Sequence, residues 1–470
     1  MIYRPNSARY VIVHFRGEKN GSVTGIRLCI AASGAGDEVC FVKPEIVVWL
    51  VRDTCRLSDN PALGYASTLA KSIGAQLVPL ACLEPRRWAD QQFGLPRVGE
   101  HWARFRAESL QSLRDDLSAQ GCGLWISAEE PVCALMRARQ ACQVCTVVGD
   151  APLGTEERLE TERIQAEDFQ SEVVYTDELF RFDQLPFDLI DLPATFSKFR
   201  KVVEKKPGIF PDPPQSIPEL PPSLPQPWPD PSEWIEALRN QTSPKTEVQT
   251  IGGEASALEH WQAYLDAGAL SHYKLTRNAL CGPTRSSHLS AWLAHGCISA
   301  RQIWSDILDY EHREGANEST YWLRFELLWR EFFRWYSRAC DWTLFRVSGP
   351  NDKDADVDQN RRRFVAWSTG NTGCDIVDAA MRELNQTGWI SNRARQLVAS
   401  HLVYESNLDW RLGAAYFESR LVDFDVASNW GNWAYIAGVG PDPRGGRIFN
   451  LNDQADRYDP DKTYRRRWLQ

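Results

Sequence analysis

The chain holds no apolar run of the roughly 18 residues that a membrane span requires, so no membrane partner is expected. Its N-terminus lacks a compact apolar core followed by a small-residue cleavage site, which argues against a secretory signal. No Gly-rich phosphate fingerprint follows the first predicted strand, so a Rossmann dinucleotide site is not expected. No internal repeat is visible. The twelve cysteines are scattered, and only Cys142 and Cys145 lie close together. Zinc would need two further ligands near that pair and none is there, so no metal is expected and free thiols are the default. Charge of one sign is also lacking: 53 Lys and Arg against 62 Asp and Glu leave −9. That excludes a histone-like polycation, although a local basic face can still bind nucleic acid.

What is abundant is tryptophan, 19 residues in 470. Only Trp49, Trp88, Trp102 and Trp125 precede residue 228, so the aromatic weight lies in the second half. With 43% hydrophobic and 24% charged residues the chain is globular, long enough for several domains and an ample core.

Four regions follow from the pattern. Residues 1–45 form an N-terminal extension. Up to residue 36 it carries Arg4, Arg9, Arg16, Lys19 and Arg27 against one acid, Glu18. An acid-poor, Arg-bearing leader is a candidate transit peptide; an added hairpin, with a strand from residue 10, and a misassigned start are the alternatives. An intracellular protein is expected, in a chloroplast or mitochondrion if the leader is an address and in cytoplasm or nucleus otherwise. Residues 46–180 alternate strands (46–51, 76–83, 124–127, 145–149, 172–175) with helices, which predicts a doubly wound parallel α/β domain. Residues 181–254 are a connector with eleven prolines between 207 and 231, extended and able to wrap one domain on its way to the other. Residues 255–470 show helical periodicity throughout and predict an all-α domain.

Chemistry-bearing residues concentrate in that last region. In 321–336 Trp322, Glu326, Trp329, Arg330 and Phe333 share one helical face. A pure core would use Leu and Phe there. A carboxylate and a guanidinium among large rings need polar partners or a ligand, or else form a solvent-facing ion pair. In 387–396 Trp389, Asn392, Arg393 and Gln396 share a face beside Arg395; amides there can read the edge of a base or a flavin. In 421–435 the pair Asp423 and Asp425 precedes Asn429, Trp430, Asn432 and Trp433. Two carboxylates two apart suit a metal, an acid/base pair or a cofactor N–H, and no His or Cys is near enough to complete a transition-metal set. The hydroxyl-rich TRSSHLS at 284–290 opens a predicted helix and is either an anion site or an ordinary cap.

Together these segments resemble the photolyase/cryptochrome family, most closely its cryptochrome-DASH branch. The resemblance spans about residues 46–470. It is carried weakly by RDTCRLSDNPAL and strongly by ELLWREFF, VDAAMRELNQTGW, SNRARQLVAS, LDWRLGAAYFE and DVASNWGNWAYIAGVG. It implies FAD bound in the helical domain. Ser286, Ser287, His288, Leu289 and Ser290 would cradle its phosphates, with His288 where the family usually has a permanent cation. Tyr273 would lie along the cofactor, and Arg330 would belong to the same binding set. Arg395 would pair with Asp423, Asp425 would accept from the ring N3–H, and Asn429 would face N5. The implied reaction is blue-light repair of cyclobutane pyrimidine dimers, with Glu326 bonded to the dimer, Trp329 stacked on it, and Asn392 and Gln396 lining the same pocket. Arg277, Arg393 and Arg447 would meet DNA phosphates. Tyr435 stands where double-strand photolyases carry Trp, in keeping with single-stranded DNA as the partner of a monomeric enzyme.

Three departures stand out. Trp433 and Trp410 match the first two positions of the family's electron-transfer chain, but the third falls on Val357, with Trp367 or Trp342 as substitutes. Pro152 replaces the Glu that often holds a folate antenna (methenyltetrahydrofolate), leaving Glu157 as a folate contact or a plain first-turn residue. Cys374 and Asp375 replace the usual Tyr-Pro, which implies a local loop change. The rival reading is a blue-light receptor with little or no repair. A long signalling tail would favour it, and none follows Trp433. A (6-4) photolyase is disfavoured because Ser391, Asn392 and Gln396 stand where that group places His.

Overall fold

The computed structural model describes residues 10–13, 27–30, 40–83, 89–206, 209–239, 250–282, 286–353 and 357–470. Within the leader, Tyr10–Val13, Arg27–Ile30 and Cys40–Val42 pair antiparallel in that order, the added-hairpin alternative with one more strand. The remainder of the leader, on which the transit-peptide expectation rests, lies outside the described residues.

Five parallel strands form the sheet of the first half, in the order Ser171–Val174, Gln143–Asp150, Glu45–Val51, Gln76–Cys82, Trp125–Ser127. Ile46 to Val51 are buried without alternation because helices cover both faces, as parallel strands require. The helices are Pro61–Ile73, Glu100–Ala119, Pro131–Ala141 and Thr155–Ala166. The first shows how sequence sets a boundary: Asn60 accepts from Leu63 N–H, Pro61 has no N–H that would need an acceptor, and Gly74 closes the end in the left-handed region. Strand order reverses between Glu45–Val51 and Gln143–Asp150, where doubly wound sheets hold their ligands. Here Arg52 fills the crevice, donating to the Asp150 carbonyl, Glu160 and Thr161. The hollow left beside it is about 80 Å³.

The Pro-rich segment is hydrogen-bonded to the α/β half at several points. Trp125 Nε1 donates to the Leu224 carbonyl at 2.7 Å and Trp228 Nε1 to the Ile126 carbonyl at 2.9 Å. Ser67 Oγ donates to the Glu219 carbonyl. Proline supplies no competing N–H, so the connector is held through its carbonyls and the polar side chains between prolines.

The second half is helical. Its axis is Glu318–Cys340, capped by Asn317, whose side chain accepts from Ser319 and Thr320 N–H. One continuous core runs from Val47 in the sheet to Tyr464 near the end of the chain and joins the two halves, while the other face of the sheet packs a second core around Trp125 and Trp228. The seam between the halves is also ionic. Glu178, just past the last strand, pairs with Arg334 (3.0 Å) and Arg338 (2.6 Å), and Asp59 pairs with Arg301. Among the described residues no helix is long and apolar enough to cross a membrane.

Candidate functional site

The mixed face of Glu318–Cys340 forms one wall of a cavity of about 420 Å³, within the size range of cofactor sites. Glu326, Trp329, Arg330 and Phe333 line it; the other walls come from Asn392–Ser400 and Val426–Ala437. Trp389, Asn392 and Gln396 line it from the face that the 3.6-residue period assigns them, joined by Arg395 from beside that face, and Asp423, Asp425, Asn429, Trp433 and Tyr435 reach the same space. Residues from 277 to 449 therefore converge on one volume.

One side of the cavity is polar and buried. Arg395 Nη2 meets Asp423 Oδ2 at 2.7 Å, and its Nε donates to the Ile390 carbonyl, fixing the guanidinium plane. Asp423 Oδ1 and Gln396 Oε1 are buried without a protein partner. Asp425 has a local role that its spacing did not show: it caps Val426–Ala437, accepting from Ser428 N–H at 2.6 Å, while its other oxygen lies 3.9 Å from Arg334. The Asn429 amide donates to the Ala414 carbonyl, which holds the side chain in place. Arg330 donates to the carbonyls of Asp177 and Leu293 and pairs with no carboxylate among the described residues. Burial, then the neighbouring Arg334, lowers its pKa below the usual arginine value. A polar set of this kind, with acceptors left over, fits the amide edge and anionic groups of a flavin nucleotide.

A second part of the lining is aromatic. Glu326 Oε1 accepts from Trp322 Nε1 at 3.0 Å and pairs with Arg277 at 2.5 Å. Burial raises the Glu326 carboxyl pKa, and Arg277 opposes the rise. Trp329 stacks on Phe196 and meets Tyr435 edge-on at 5.6 Å. Tyr435 in turn touches Arg447 through its hydroxyl and its ring face. Each of the three arginines expected to meet phosphate lies over a ring: Arg277 over Trp322, Arg393 over Tyr458 and Phe449, Arg447 over Tyr435. Arg393 is not in the cavity wall; it donates to Asn278 Oδ1 at the rim.

The remaining expected residues stand as follows. Ser286 and Ser290 line the cavity. Ser287 and Leu289 are buried beside it, and the Ser287 carbonyl faces His260 Nε2. His288 is buried with a positive φ and packs on Trp389 at 4.6 Å. Tyr273 is buried next to Glu326 and Arg277, and burial raises its hydroxyl pKa. Thr284 lies outside the described residues. Trp433 is in the cavity wall and in ring contact with Phe417 (5.1 Å) and Trp367 (6.1 Å). Trp410 is buried, its Nε1 donating to the Val347 carbonyl and its ring 5.8 Å from Trp430. Val357 adjoins Asp358, which bridges to Leu408 two residues before Trp410. Both positions weighed for a folate have protein partners: the Pro152 carbonyl accepts from Arg338, and Glu157 accepts from Gly154 N–H as a helix cap. Among the described residues no group of three His, Cys, Asp or Glu could hold a metal.

Sequence reasoning missed Asn278, Phe417, Phe449 and Tyr458. Phe417 lies within a quoted motif, LDWRLGAAYFE, and could have been found by helical phase. The others depend on chain segments meeting at the rim and leave no local signal.

Two family profiles match the chain, one described as DNA photolyase over residues 46–222 and one as FAD binding domain of DNA photolyase over residues 322–470. A protein named cryptochrome DASH from Idiomarina loihiensis is 40% identical over 90% of this chain and 92% of its own. One from Arabidopsis thaliana, named as chloroplastic/mitochondrial, is 36% identical over 91% of this chain and 76% of its own. The crystal structure of a Synechocystis cryptochrome superposes with a TM-score of 0.84 at 36% identity, covering 91% of this chain and 89% of that one.

Proposed function

The chain belongs to the photolyase/cryptochrome family, in its cryptochrome-DASH branch, and on the cavity it builds we propose that it repairs cyclobutane pyrimidine dimers under blue light, with single-stranded DNA as the preferred substrate. The observation that carries this reading is convergence. A flavin-suited set (Arg395, Asp423, Asp425, Asn429) and a base-suited set (Glu326, Trp329, Asn392, Gln396) face one volume. FAD, when bound, supplies the light-driven electron that opens the cyclobutane ring.

The chain's own residues bind, orient and exclude water. Arg395 and Asp423 present a fixed ion pair, and Asp423 Oδ1 remains as an acceptor for a ring N–H. Arg330 brings a buried positive charge whose protein partners are neutral carbonyls. Asn429 brings a neutral amide in place of a carboxylate. Glu326 offers a carboxyl to the pyrimidine carbonyls, and the rings of Trp329 and Tyr435 give the dimer a right-angled apolar corner. The dimer must leave the stack to enter, which costs least in single-stranded DNA. Tyr435, smaller than Trp, replaces less of the lost stacking, which fits the same preference. Trp433 and Trp410 are assigned to electron transfer, with Trp367 in ring contact with Trp433 and Val357 outside any such chain. The reading needs FAD alone, without a folate, and a monomer. The acid-poor leader fits an organellar address like that named for the Arabidopsis relative.

The test is a repair assay. Reduced protein receives dimer-containing oligonucleotides, single- and double-stranded, in light and dark. Light-dependent loss of dimers, faster on single strands, is expected. Flavin photochemistry without repair on either substrate would overturn the enzyme reading and leave a receptor.

A further inference from the structure

Trp322 stands on the same helix as Glu326 and Trp329, yet it is not part of the cavity wall. It sits one turn before Glu326 and donates from Nε1 to Glu326 Oε1 at 3.0 Å, the i, i+4 reach of a helix. The same oxygen takes Arg277 Nη2 at 2.5 Å. Arg277 also lies over the Trp322 ring at 5.5 Å. Indole, carboxyl and guanidinium thus form a closed triangle, in which each pair is held by the third member. Lys274 adds a second cation over the ring at 4.9 Å and is itself paired with Glu318, one turn before Trp322. Phe325 packs against the ring at 5.0 Å. The indole therefore has little freedom to turn. Both partners of the Glu326 carboxyl meet Oε1, and Oε2 has no partner among the described residues.

We propose that Trp322 is the positioning residue of Glu326: by holding Oε1 it turns Oε2, with the proton of the neutral acid, toward a dimer in the cavity. This rests on the dimer reading above and adds to it the residue that aims the carboxyl. A glutamate side chain turns about several bonds, and ordering it costs rotamer entropy. A donor that fixes the carboxyl before the substrate arrives removes that cost from the reaction. Oε1 already accepts two N–H groups, so its lone pairs are occupied and the proton goes to Oε2. Phosphate can draw Arg277 away from the carboxyl, whereas the indole, which is outside the wall, keeps its hold. Among the described residues the ionisable groups facing this carboxyl are Arg277 and Tyr273, and Lys274 is paired with Glu318.

The experiment compares the parent with Trp322→Phe, Glu326→Ala and the double variant. Phenylalanine keeps an aromatic ring under the two cations and removes the N–H. Flavin absorbance and melting temperature are recorded first, then dark affinity for a dimer-containing single-stranded oligonucleotide. Light-driven turnover at saturating DNA is followed across a range of pH. W322F is expected to hold the flavin and bind the oligonucleotide as the parent does. Its turnover is expected to fall about two- to fivefold, no further than in E326A, because one neutral hydrogen bond is lost. In the double variant the change at Trp322 should cost nothing more, since a residue that acts through Glu326 is silent without it. The pH profile supplies a readout that packing alone would not move. Burial raises the Glu326 pKa, while Arg277 and the indole N–H lower it. Without the N–H the carboxyl keeps its proton to higher pH, so the alkaline fall in turnover should move upward in W322F. Parent-like turnover in W322F would overturn the proposal. So would a loss that persists in the E326A background, or an alkaline limb that stays in place. Absence of light-driven repair in the parent would instead sink the dimer reading itself.

Discussion

Glu326 has two competing environments. Its carboxyl is desolvated among Trp322, Trp329 and Tyr273, which favours the neutral acid, and it is paired with Arg277, which favours the anion. A phosphate that captures Arg277 would remove the second influence, leaving a carboxyl ready to donate to a pyrimidine carbonyl. Glu326→Ala should keep the flavin, since Glu326 is bonded to Trp322 and Arg277 and takes no part in the Arg395–Asp423 pair. It should lower repair about two- to tenfold, the effect of losing a neutral hydrogen bond, about 0.5–1.5 kcal/mol. Flavin absorbance and dimer turnover measured on one preparation would check both halves. Arg330, four residues on, shows a different lesson. Its spacing suggested an ion pair with Glu326, yet it turns to the Asp177 and Leu293 carbonyls, because Arg277 already occupies the carboxylate.

At the scale of elements, three helices build the cavity, and two close ring-to-backbone approaches around it are made through glycine. Gly431 of Val426–Ala437 faces the Phe333 ring, and Gly413 of Trp410–Glu418 faces the indole of Trp433. Glycine costs a helix about 1 kcal/mol against alanine, so its presence at both crossings reflects ring-to-backbone packing. Gly413→Ala would put a methyl into the Trp433 ring. It is expected to destabilise the protein by about 1–3 kcal/mol despite the better helix propensity, because overpacking moves side chains off their preferred rotamers. Urea unfolding would show the loss, and reduced flavin occupancy should accompany it since Trp433 is part of the cavity wall. An unchanged midpoint would mean that Trp433 has room to move.

At the scale of the molecule, the cavity is tied to the seam between the halves. Arg334 contacts Glu178 of the α/β half and lies 3.9 Å from Asp425 of the cavity. Arg338 and Arg334 hold the Glu178 carboxyl well below its ordinary value of 4.5, more than offsetting its burial. A depressed carboxylate contributes stability that is complete above its unfolded value and is lost as pH falls below it. Stability, measured by urea midpoint, should therefore drop on acidification below about pH 4.5, with release of flavin. Glu178→Gln leaves two buried guanidiniums short of a counter-charge. It should cost about 3–5 kcal/mol at neutral pH and flatten the acid dependence. A parent-like pH profile in that variant would assign the acid transition to other groups.

Much of this was legible in one dimension. The strands of the sheet and the helix carrying Glu326 and Trp329 lie within a few residues of where periodicity put them, since 2.0 and 3.6 are properties of the backbone itself. The same period placed Asn392 with Gln396 and Trp329 with Phe333, because neighbours on a face are only one turn apart. What the chain order could not state is who meets whom across elements. Asn278 with Arg393 spans 115 residues and Glu178 with Arg338 spans 160. The partner of Arg330 and the capping duty of Asp425 likewise depend on how helices cross and where loops close. Local spacing decides which residues share a face. Only packing of the whole chain decides what that face looks at, because each crossing is a compromise among side chains far apart in sequence.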